Sequence, residues 1–213
     1  MIMRPASPGG VHVVEDDAAL ADALLFLLQS RDLEVRHFAS AEDLLAHVAA
    51  SPDWPQGPAC LLLDVRMKRM SGLELFERLS ADGRTALVPV VFLTGHGDIG
   101  MAVDALKRGA YDFFEKPFND NRLADRLIEA LTESACRIDS ARDAASVESC
   151  MASLSTRERE VMDLILAGKL NKVIADELGI SVRTVEVHRA NVFAKMKVRS
   201  AVELARRLGP PSG

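Results

Sequence analysis

The sequence has few cysteines, no long apolar run and no glycine-rich phosphate loop, and each absence excludes a class of protein. Cys60, Cys136 and Cys150 are widely spaced and form neither a CxxC pair nor a Cys/His cluster, so neither a disulfide framework nor a zinc site is supported. No run of about 18 uncharged apolar residues occurs, which argues against a membrane span. Without a glycine-rich phosphate loop, a nucleotide is not expected as a phosphate donor. Residues 1–10 are predicted to be a flexible tail.

Charge is divided unevenly along the chain. Residues 154–213 contain 11 Lys and Arg against 7 Asp and Glu, whereas residues 1–153 contain 15 against 24. An acidic module followed by a basic one is therefore expected. The basic module could meet a polyanion.

The acidic part alternates short apolar runs with amphipathic stretches. Five strands are predicted, at Val11–Val14, Glu34–His37, Cys60–Leu63, Val88–Leu93 and Tyr111–Glu115. Strands of this kind, alternating with helices, indicate an α/β fold with a parallel sheet covered on both faces.

Polar residues directly follow four of these strands. The acidic run Glu15–Asp17 follows the first strand, Asp64 the third, Thr94 the fourth and Lys116 the fifth. The carboxyl ends of parallel strands meet at one edge of a sheet, where chemistry gathers. We therefore expect these residues to converge.

The same residue types suit phosphoryl transfer to a carboxylate, which needs a nucleophile, a divalent cation and counter-charges. Asp64 is the predicted nucleophile, and Asp16 with Glu15 supplies oxygen ligands for Mg²⁺. Lys116 offers a positive charge to the phosphate and Thr94 a hydroxyl donor.

Residues 11–130 resemble the receiver domain of two-component response regulators, most closely the FixJ branch. The resemblance rests on the acidic pair, Asp64, Thr94 and Lys116–Pro117 in order and spacing, and on Phe114–Phe118. It implies a flavodoxin-like (βα)5 fold in which Asp64 is phosphorylated.

The resemblance also implies how Mg²⁺ is held. Asp16, Asp64 and the main-chain carbonyl of Arg66 would be ligands, and Glu15 would act through water. Two departures stand out, because the family commonly has Asp where Glu15 stands and Pro where Lys68 stands.

A switch is implied as well. Thr94 would move toward the phosphate while the Phe113 ring turns inward behind it, and the Lys116–Pro117 bond is usually cis in this family. Arg66 and His96 occupy positions that tend to govern the lifetime of the phosphate.

A long helix is predicted from about residue 119 to residue 150, polar beyond Glu133. We place the first domain at 11–130, a helical linker at 131–152 and the second domain at 153–213. A thin apolar stripe in the linker, broken by Arg142, leaves open whether two copies pair there as a coiled coil.

The second domain is predicted to have four helices and no strand. Ser155–Glu158 forms a capping box, and the short helix Asn171–Leu178 is followed by Gly179 and a longer helix to Lys197. Its sequence resembles the LuxR-type domain of the NarL/FixJ subfamily over nearly all of 154–208. This implies a helix-turn-helix that binds DNA.

Candidate DNA contacts lie mostly near the start of the longer helix, where base edges are reached. Val187 could touch a thymine methyl, and Arg183, His188 and Asn191 could make polar contacts. Glu186 could accept from cytosine or simply fill the helix. The remaining candidates, with phosphate contact expected for the charged ones, are Lys172, Thr184, Arg189 and Lys195.

The two resemblances together imply a cytoplasmic transcription regulator without a membrane partner. A sensor histidine kinase would phosphorylate it, and phosphorylation would drive homodimerisation and binding to double-stranded promoter DNA, with RNA polymerase as a further partner. It would not be an enzyme beyond slow self-dephosphorylation. Two alternatives stay open: an Mg²⁺-dependent phosphohydrolase with an aspartyl-phosphate intermediate, and a phosphate-independent DNA-binding or scaffold protein.

Overall fold

The computed structural model describes residues 10–95 and 99–209, which form two compact units. One unit ends at Asp139 and the other begins at Ser140. No helix in these ranges is both long and apolar enough to cross a bilayer. The predicted tail lies outside the described residues except for Gly10, which is instead the first residue of a strand and donates its N–H to the Pro58 carbonyl at 3.0 Å.

The first unit is built from five β/α repeats. Its elements are β1 (Gly10–Val14), α1 (Ala18–Gln29), β2 (Glu34–Phe38), α2 (Ala41–Ala50), β3 (Ala59–Asp64), α3 (Gly72–Ala81), β4 (Val90–Thr94), α4 (Ile99–Lys107), β5 (Asp112–Glu115) and the first part of α5 (Asp120–Ala152). The strands are all parallel, in the order β2-β1-β3-β4-β5. The parallel sheet covered on both faces, which the sequence predicts, is confirmed.

Each face of the sheet carries its own apolar core. On one face, α1 and α5 pack on alternate strand residues such as Val13 and Leu62. On the other, α2, α3 and α4 cover residues such as Leu61 and Phe92. All of β3 is buried, because this central strand has helices on both sides.

Helix α5 packs on the sheet further along than its polar composition suggests. Leu131, Ser134 and Ile138 are buried, although the predicted linker begins at residue 131. The Ser134 hydroxyl accepts from the Ala59 N–H at 3.0 Å and donates to the Leu87 carbonyl at 2.7 Å. A single hydroxyl thus satisfies two main-chain groups near the start of β3 and β4.

The second unit is helical. Beyond the end of α5 it contains α6 (Thr156–Leu166), α7 (Asn171–Leu178), α8 (Val182–Lys195) and α9 (Ala201–Leu208). Gly179 has a φ of 64°, a left-handed conformation suited to glycine, and it turns the chain between α7 and α8. These two helices and α6 enclose a core that includes Ile174, Val185 and Val192. The predicted helix-turn-helix is therefore present.

We predict that Ser134→Ala lowers the free energy of unfolding of the first unit by about 1–3 kcal/mol, because two buried main-chain groups lose their partner. Urea denaturation measures the loss. Thr132→Ala is the control, since the exposed Thr132 hydroxyl donates to the Ile128 carbonyl of its own helix. Equal losses in the two variants would contradict the role given to Ser134.

Candidate functional site

Charged residues from three strand ends meet at the carboxyl edge of the sheet. Asp64 is the last residue of β3, and Lys116 lies one residue beyond β5. The Lys116 ammonium Nζ contacts Asp64 Oδ1 at 2.7 Å and Glu15 Oε2 at 2.9 Å. The predicted convergence of these residues is therefore what the structure shows.

The three residues of the acidic run after β1 have different roles. Asp17 caps α1, because its carboxylate accepts from the N–H groups of Ala19 and Leu20. Glu15 is 2% exposed and accepts from the Asp17 N–H at 3.1 Å as well as from Lys116. Asp16 stays partly exposed at the rim. Only Glu15 and Asp16 face the site.

Glu15, Asp16 and Asp64 form a candidate cation site. Each offers a carboxylate oxygen, and these oxygens lie within 4.8 Å of one another. Hard oxygen donors around a partly open notch are the chemistry that Mg²⁺ prefers, since it binds few carboxylates and keeps several waters. The residues present therefore fit this ion.

Lys68, which stands where the family commonly has proline, also contacts the cluster. Its main-chain N–H donates to Asp16 Oδ2 at 3.2 Å, and its Nζ lies 3.6 Å from the same oxygen. Proline has no N–H and could not make the first bond. The substitution thus adds a contact that orients Asp16.

Electrostatics at the site follow from placing like charges in a poorly hydrated notch. Burial raises the pKa of Asp64, Lys116 lowers it, and Glu15 and Asp16 raise it further, so that it lies above its usual value. Burial lowers the pKa of Lys116, but its hydrogen bonds to Asp64 and Glu15 outweigh this and raise it. Lys116 is therefore held as a cation between the two carboxylates.

Thr94 completes the edge as the last residue of β4. It is fully buried, and its Oγ1 has no hydrogen-bond partner among the described residues. Phe113 pairs with Phe92 in the β4–β5 register, two residues before the partner of Thr94, so the two side chains share one face of the sheet. Phe113 is half-buried and packs against the core of that face.

The loop after β3 holds Asp64 tightly. Gly72 begins α3, and a Cβ there would overlap the main-chain oxygen of Asp64. Arg66, whose carbonyl is a predicted ligand, is an exposed residue of this loop. The Lys116–Pro117 bond is cis, as the resemblance implied. His96 lies outside the described residues.

Sequence reasoning missed one residue that supports the site. His37 on β2 places its Nε2 2.9 Å from the Glu15 carbonyl oxygen, so it ties the acidic run to β2. In the sequence, a single histidine near a strand end does not indicate such a contact. The contact with the Glu15 carbonyl becomes evident only when β1 and β2 are paired in the structure.

In the second unit, α8 presents one open face. Arg183, Glu186, Val187 and Asn191 are exposed along it, and Val187 is 54% exposed. Val185 and Val192 occupy the opposite, buried face. Val187 therefore offers an apolar contact among polar side chains on this face.

The other candidate DNA contacts have partners within the unit or lie apart. The Thr184 hydroxyl lies 2.7 Å from that of the capping residue Ser181, and the Arg189 guanidinium lies over the Phe193 ring at 5.4 Å. His188 is partly buried, with no partner for Nδ1 among the described residues. Lys172 is exposed on α7.

Lys195 makes a structural ion pair that its predicted role did not include. Its Nζ contacts Glu158 Oε2 at 2.6 Å and the Ser153 carbonyl at 3.0 Å. Glu158 also accepts from the Ser155 N–H in the capping box of α6. Lys195 thereby joins the end of α8 to the start of α6.

Two protein families match the chain. The family described as "Response regulator receiver domain" matches residues 11–128, and the one described as "Bacterial regulatory proteins, luxR family" matches residues 152–208. One match falls within each compact unit.

Relatives match over nearly the full length. The chain is 48% identical over 197 residues to the C4-dicarboxylate transport transcriptional regulatory protein DctR of Rhodobacter capsulatus, covering 92% of this chain and 97% of the relative. It is 43% identical to the transcriptional regulatory protein FixJ of Bradyrhizobium diazoefficiens, covering 93% of each.

Solved structures agree. The response regulator StyR matches with a TM-score of 0.84 and 40% identity, covering 94% of this chain and 98% of that one. Full-length FixJ from B. japonicum matches with a TM-score of 0.57 and 42% identity, covering 95% and 96%.

We predict that Gly72→Ala displaces the Asp64 main chain and costs about 1–3 kcal/mol of stability, because the new Cβ has no space. Thermal unfolding gives the loss, and calorimetry should show weaker Mg²⁺ binding. Gly100→Ala on α4 is the control, since nothing lies within 4 Å of its Cβ. Unchanged stability and Mg²⁺ affinity in Gly72→Ala would argue against a close approach.

A second prediction concerns Lys195. Its hydrogen bond, with that of the Ser155 N–H, lowers the pKa of Glu158 from 4.5 to about 2, so the folded unit is stabilised above pH 4.5 and loses this contribution as the pH falls toward 2. Lys195→Ala should lower stability at neutral pH by about 1–3 kcal/mol and flatten that acid dependence. Denaturation between pH 7 and about 2 tests both.

The exposed Lys172 supplies the control, as Lys172→Ala removes the same charge without taking a cation away from the buried Glu158 carboxylate. If Lys195→Ala matched Lys172→Ala in stability at every pH, the structural role given to Lys195 would be contradicted.

Proposed function

The chain belongs to the two-component response regulators that join a receiver domain to a LuxR-type DNA-binding domain, and we propose that phosphorylation of Asp64 controls its binding to promoter DNA. Its relatives DctR and FixJ are transcriptional regulators, and this chain is a transcriptional response regulator of the same kind. The observation that carries the proposal is the bridging of Asp64 and Glu15 by Lys116.

Phosphoryl transfer would proceed by attack of an Asp64 carboxylate oxygen on the phosphorus of a kinase phosphohistidine. The new O–P bond forms as the N–P bond breaks, and the kinase histidine, protonated on its other ring nitrogen, leaves as neutral imidazole. Lys116, already 2.7 Å from Asp64, would meet a phosphoryl oxygen as its Asp64 contact is replaced. The site supplies this charge before the phosphate arrives.

Bound Mg²⁺ would neutralise charge on the phosphoryl oxygens. Asp16 and Asp64 would hold it directly together with the Arg66 main-chain carbonyl, and Glu15 would act through water. The contacts from Lys68 support this assignment, because they fix the Asp16 carboxylate at the rim of the notch.

The Thr94 hydroxyl is the feature that favours a switch. A buried hydroxyl without a partner costs about 1–3 kcal/mol, and a phosphoryl oxygen within its reach would remove this cost. Thr94 would then move toward Asp64, and Phe113, on the same sheet face, would turn inward behind it. The change in side-chain packing at β4 and β5 would thus transmit the phosphorylation of Asp64.

On DNA, the open face of α8 would enter the major groove. Val187 suits a thymine methyl, and Arg183, His188 and Asn191 suit polar base edges, because Arg183 and Asn191 are exposed on this face and His188 lies beside it. Lys172 and Arg189 would contact phosphates, with Thr184 near the backbone at the helix start. Lys195 would contact a phosphate only while keeping its pair with Glu158.

Phosphorylation would drive homodimerisation, so that two α8 helices reach a two-fold related site on double-stranded DNA. A sensor histidine kinase would supply the phosphoryl group and RNA polymerase would be met at the promoter. A regulator with these partners would act in the cytoplasm. It would act as a stoichiometric acceptor rather than a turnover enzyme.

We predict that wild-type chain treated with acetyl phosphate and Mg²⁺ gains one phosphoryl group by mass, shifts toward dimer in light scattering and binds promoter DNA more tightly. Asp64→Asn should show none of these responses. Asp22→Asn, an exposed change on α1, is the matched control and should respond like wild type. The promoter fragments come from genome-wide mapping of bound DNA with and without Asp64.

Each rival has its own result in the same assay. Release of many phosphate equivalents per chain would indicate a hydrolase. No mass gain, with DNA binding unaffected by acetyl phosphate, would indicate a phosphate-independent DNA-binding protein. Unchanged dimerisation with a full mass gain would overturn the dimer mechanism alone.

A further inference from the structure

The opposite, amino-terminal edge of the sheet contains a cleft that the phosphorylation site does not use. Its volume is about 710 Å³, within the usual range for small-ligand pockets. Residues of β1, β2, α2 and the loop before β3 line it, among them His12, Arg36, His47 and Trp54. Pro55 and Pro58 add apolar walls.

Trp54 lines this cleft and has a buried donor without a hydrogen-bond partner among the described residues. The residue is 6% exposed, and the unpaired atom is its indole Nε1. Indole N–H can only donate, so a partner must be an acceptor. Buried donors are rarely left unpaired, because the loss costs about 1–3 kcal/mol. The arrangement favours a ligand that brings an acceptor.

His12 offers a second unpaired polar atom from another element. Its Nδ1 is buried without a partner among the described residues, and its ring meets Trp54 edge-on with the centroids 5.8 Å apart. Burial, and then the nearness of His47 and Arg36, lowers the pKa of His12 to about 4. The ring is therefore neutral near pH 7 and can donate or accept.

Arg36 provides the charge. Its guanidinium lies 3.0 Å from His47 Nε2, beside the His12 ring. Glu34 also lines the cleft, two residues earlier on β2, and has interactions of its own. An indole N–H, a guanidinium and a neutral imidazole together match an anionic acceptor better than a cation.

We propose that this cleft binds a small organic carboxylate. The carboxylate would accept from the exposed Arg36, and from Trp54 Nε1–H once the buried indole edge turns toward the cleft, and its carbon body would lie against Pro55 and Pro58. The two prolines and the aromatic rings distinguish this class from inorganic anions, which have no apolar surface to bury.

The experiment uses the single tryptophan of the chain, whose indole N–H gives one unambiguous signal in a ¹⁵N-labelled sample of the full chain. Benzoate, succinate and acetate are titrated separately, and inorganic phosphate is titrated as a fourth probe. At least one carboxylate should produce a saturable shift of the indole signal at millimolar concentration or below. Phosphate should not.

Two variants test the assigned contacts. Arg36→Ala should weaken binding by about tenfold or more, the loss expected for one charge-assisted hydrogen bond. Trp54→Phe keeps an aromatic ring but removes the donor, and calorimetry should show a similar loss. Arg31→Ala, an exposed arginine that contacts Asn121 and Asp125 instead, should bind like wild type.

The proposal is overturned if no carboxylate gives a saturable shift, if phosphate binds as well as the carboxylates, or if Arg36→Ala keeps full affinity. Circular dichroism of each variant establishes that it is folded. If Trp54→Phe does not fold, Arg36→Ala decides alone, since Arg36 is an exposed residue of the edge strand β2.

Discussion

The contact between the Lys116 ammonium and two buried carboxylates is the constraint on which the receiver depends. Asp64 and Glu15 are both withdrawn from water, and either would be costly there without a counter-charge. Main-chain bonds fix two of the three partners, because Lys116 N–H donates to the Thr94 carbonyl at 2.8 Å and Glu15 N–H to the Phe38 carbonyl at 3.2 Å. The sheet's own hydrogen bonds thus hold the reacting groups in register.

Much of this edge was predictable because parallel strands bring their carboxyl ends together whatever lies between them. Periodicity located the strands to within about two residues, and chemistry then singled out Asp64, Thr94 and Lys116. The role of Asp17 was not predicted, since only the geometry of α1 shows that Asp17 is a helix cap. Local composition also hid the buried face of α5, because Ser134 reads as polar while its two bonds are long-range.

In the second unit too, local contacts were predictable from the sequence, whereas long-range contacts were not. Helix starts and stops were readable from Ser155, Gly179 and Ser181, whose capping roles are local. The pairing of Lys195 with Glu158 joins residues 37 apart, and charge alone does not distinguish such a lysine from one that meets DNA. The cleft around Trp54 was equally hidden, because an unpaired donor is a property of surroundings and not of sequence.

The connection from β1 to α1 is three residues long, and each of the three is already committed. Glu15 bonds to Lys116, Asp16 accepts from the Lys68 N–H, and Asp17 caps the helix that follows. Every residue of this short connection is therefore constrained. The loop between α2 and β3, residues 51–58, is longer, at eight residues. The length of the β1–α1 connection is thus as restricted as its chemistry, and a one-residue insertion there would disconnect helix, cation site and counter-ion at once.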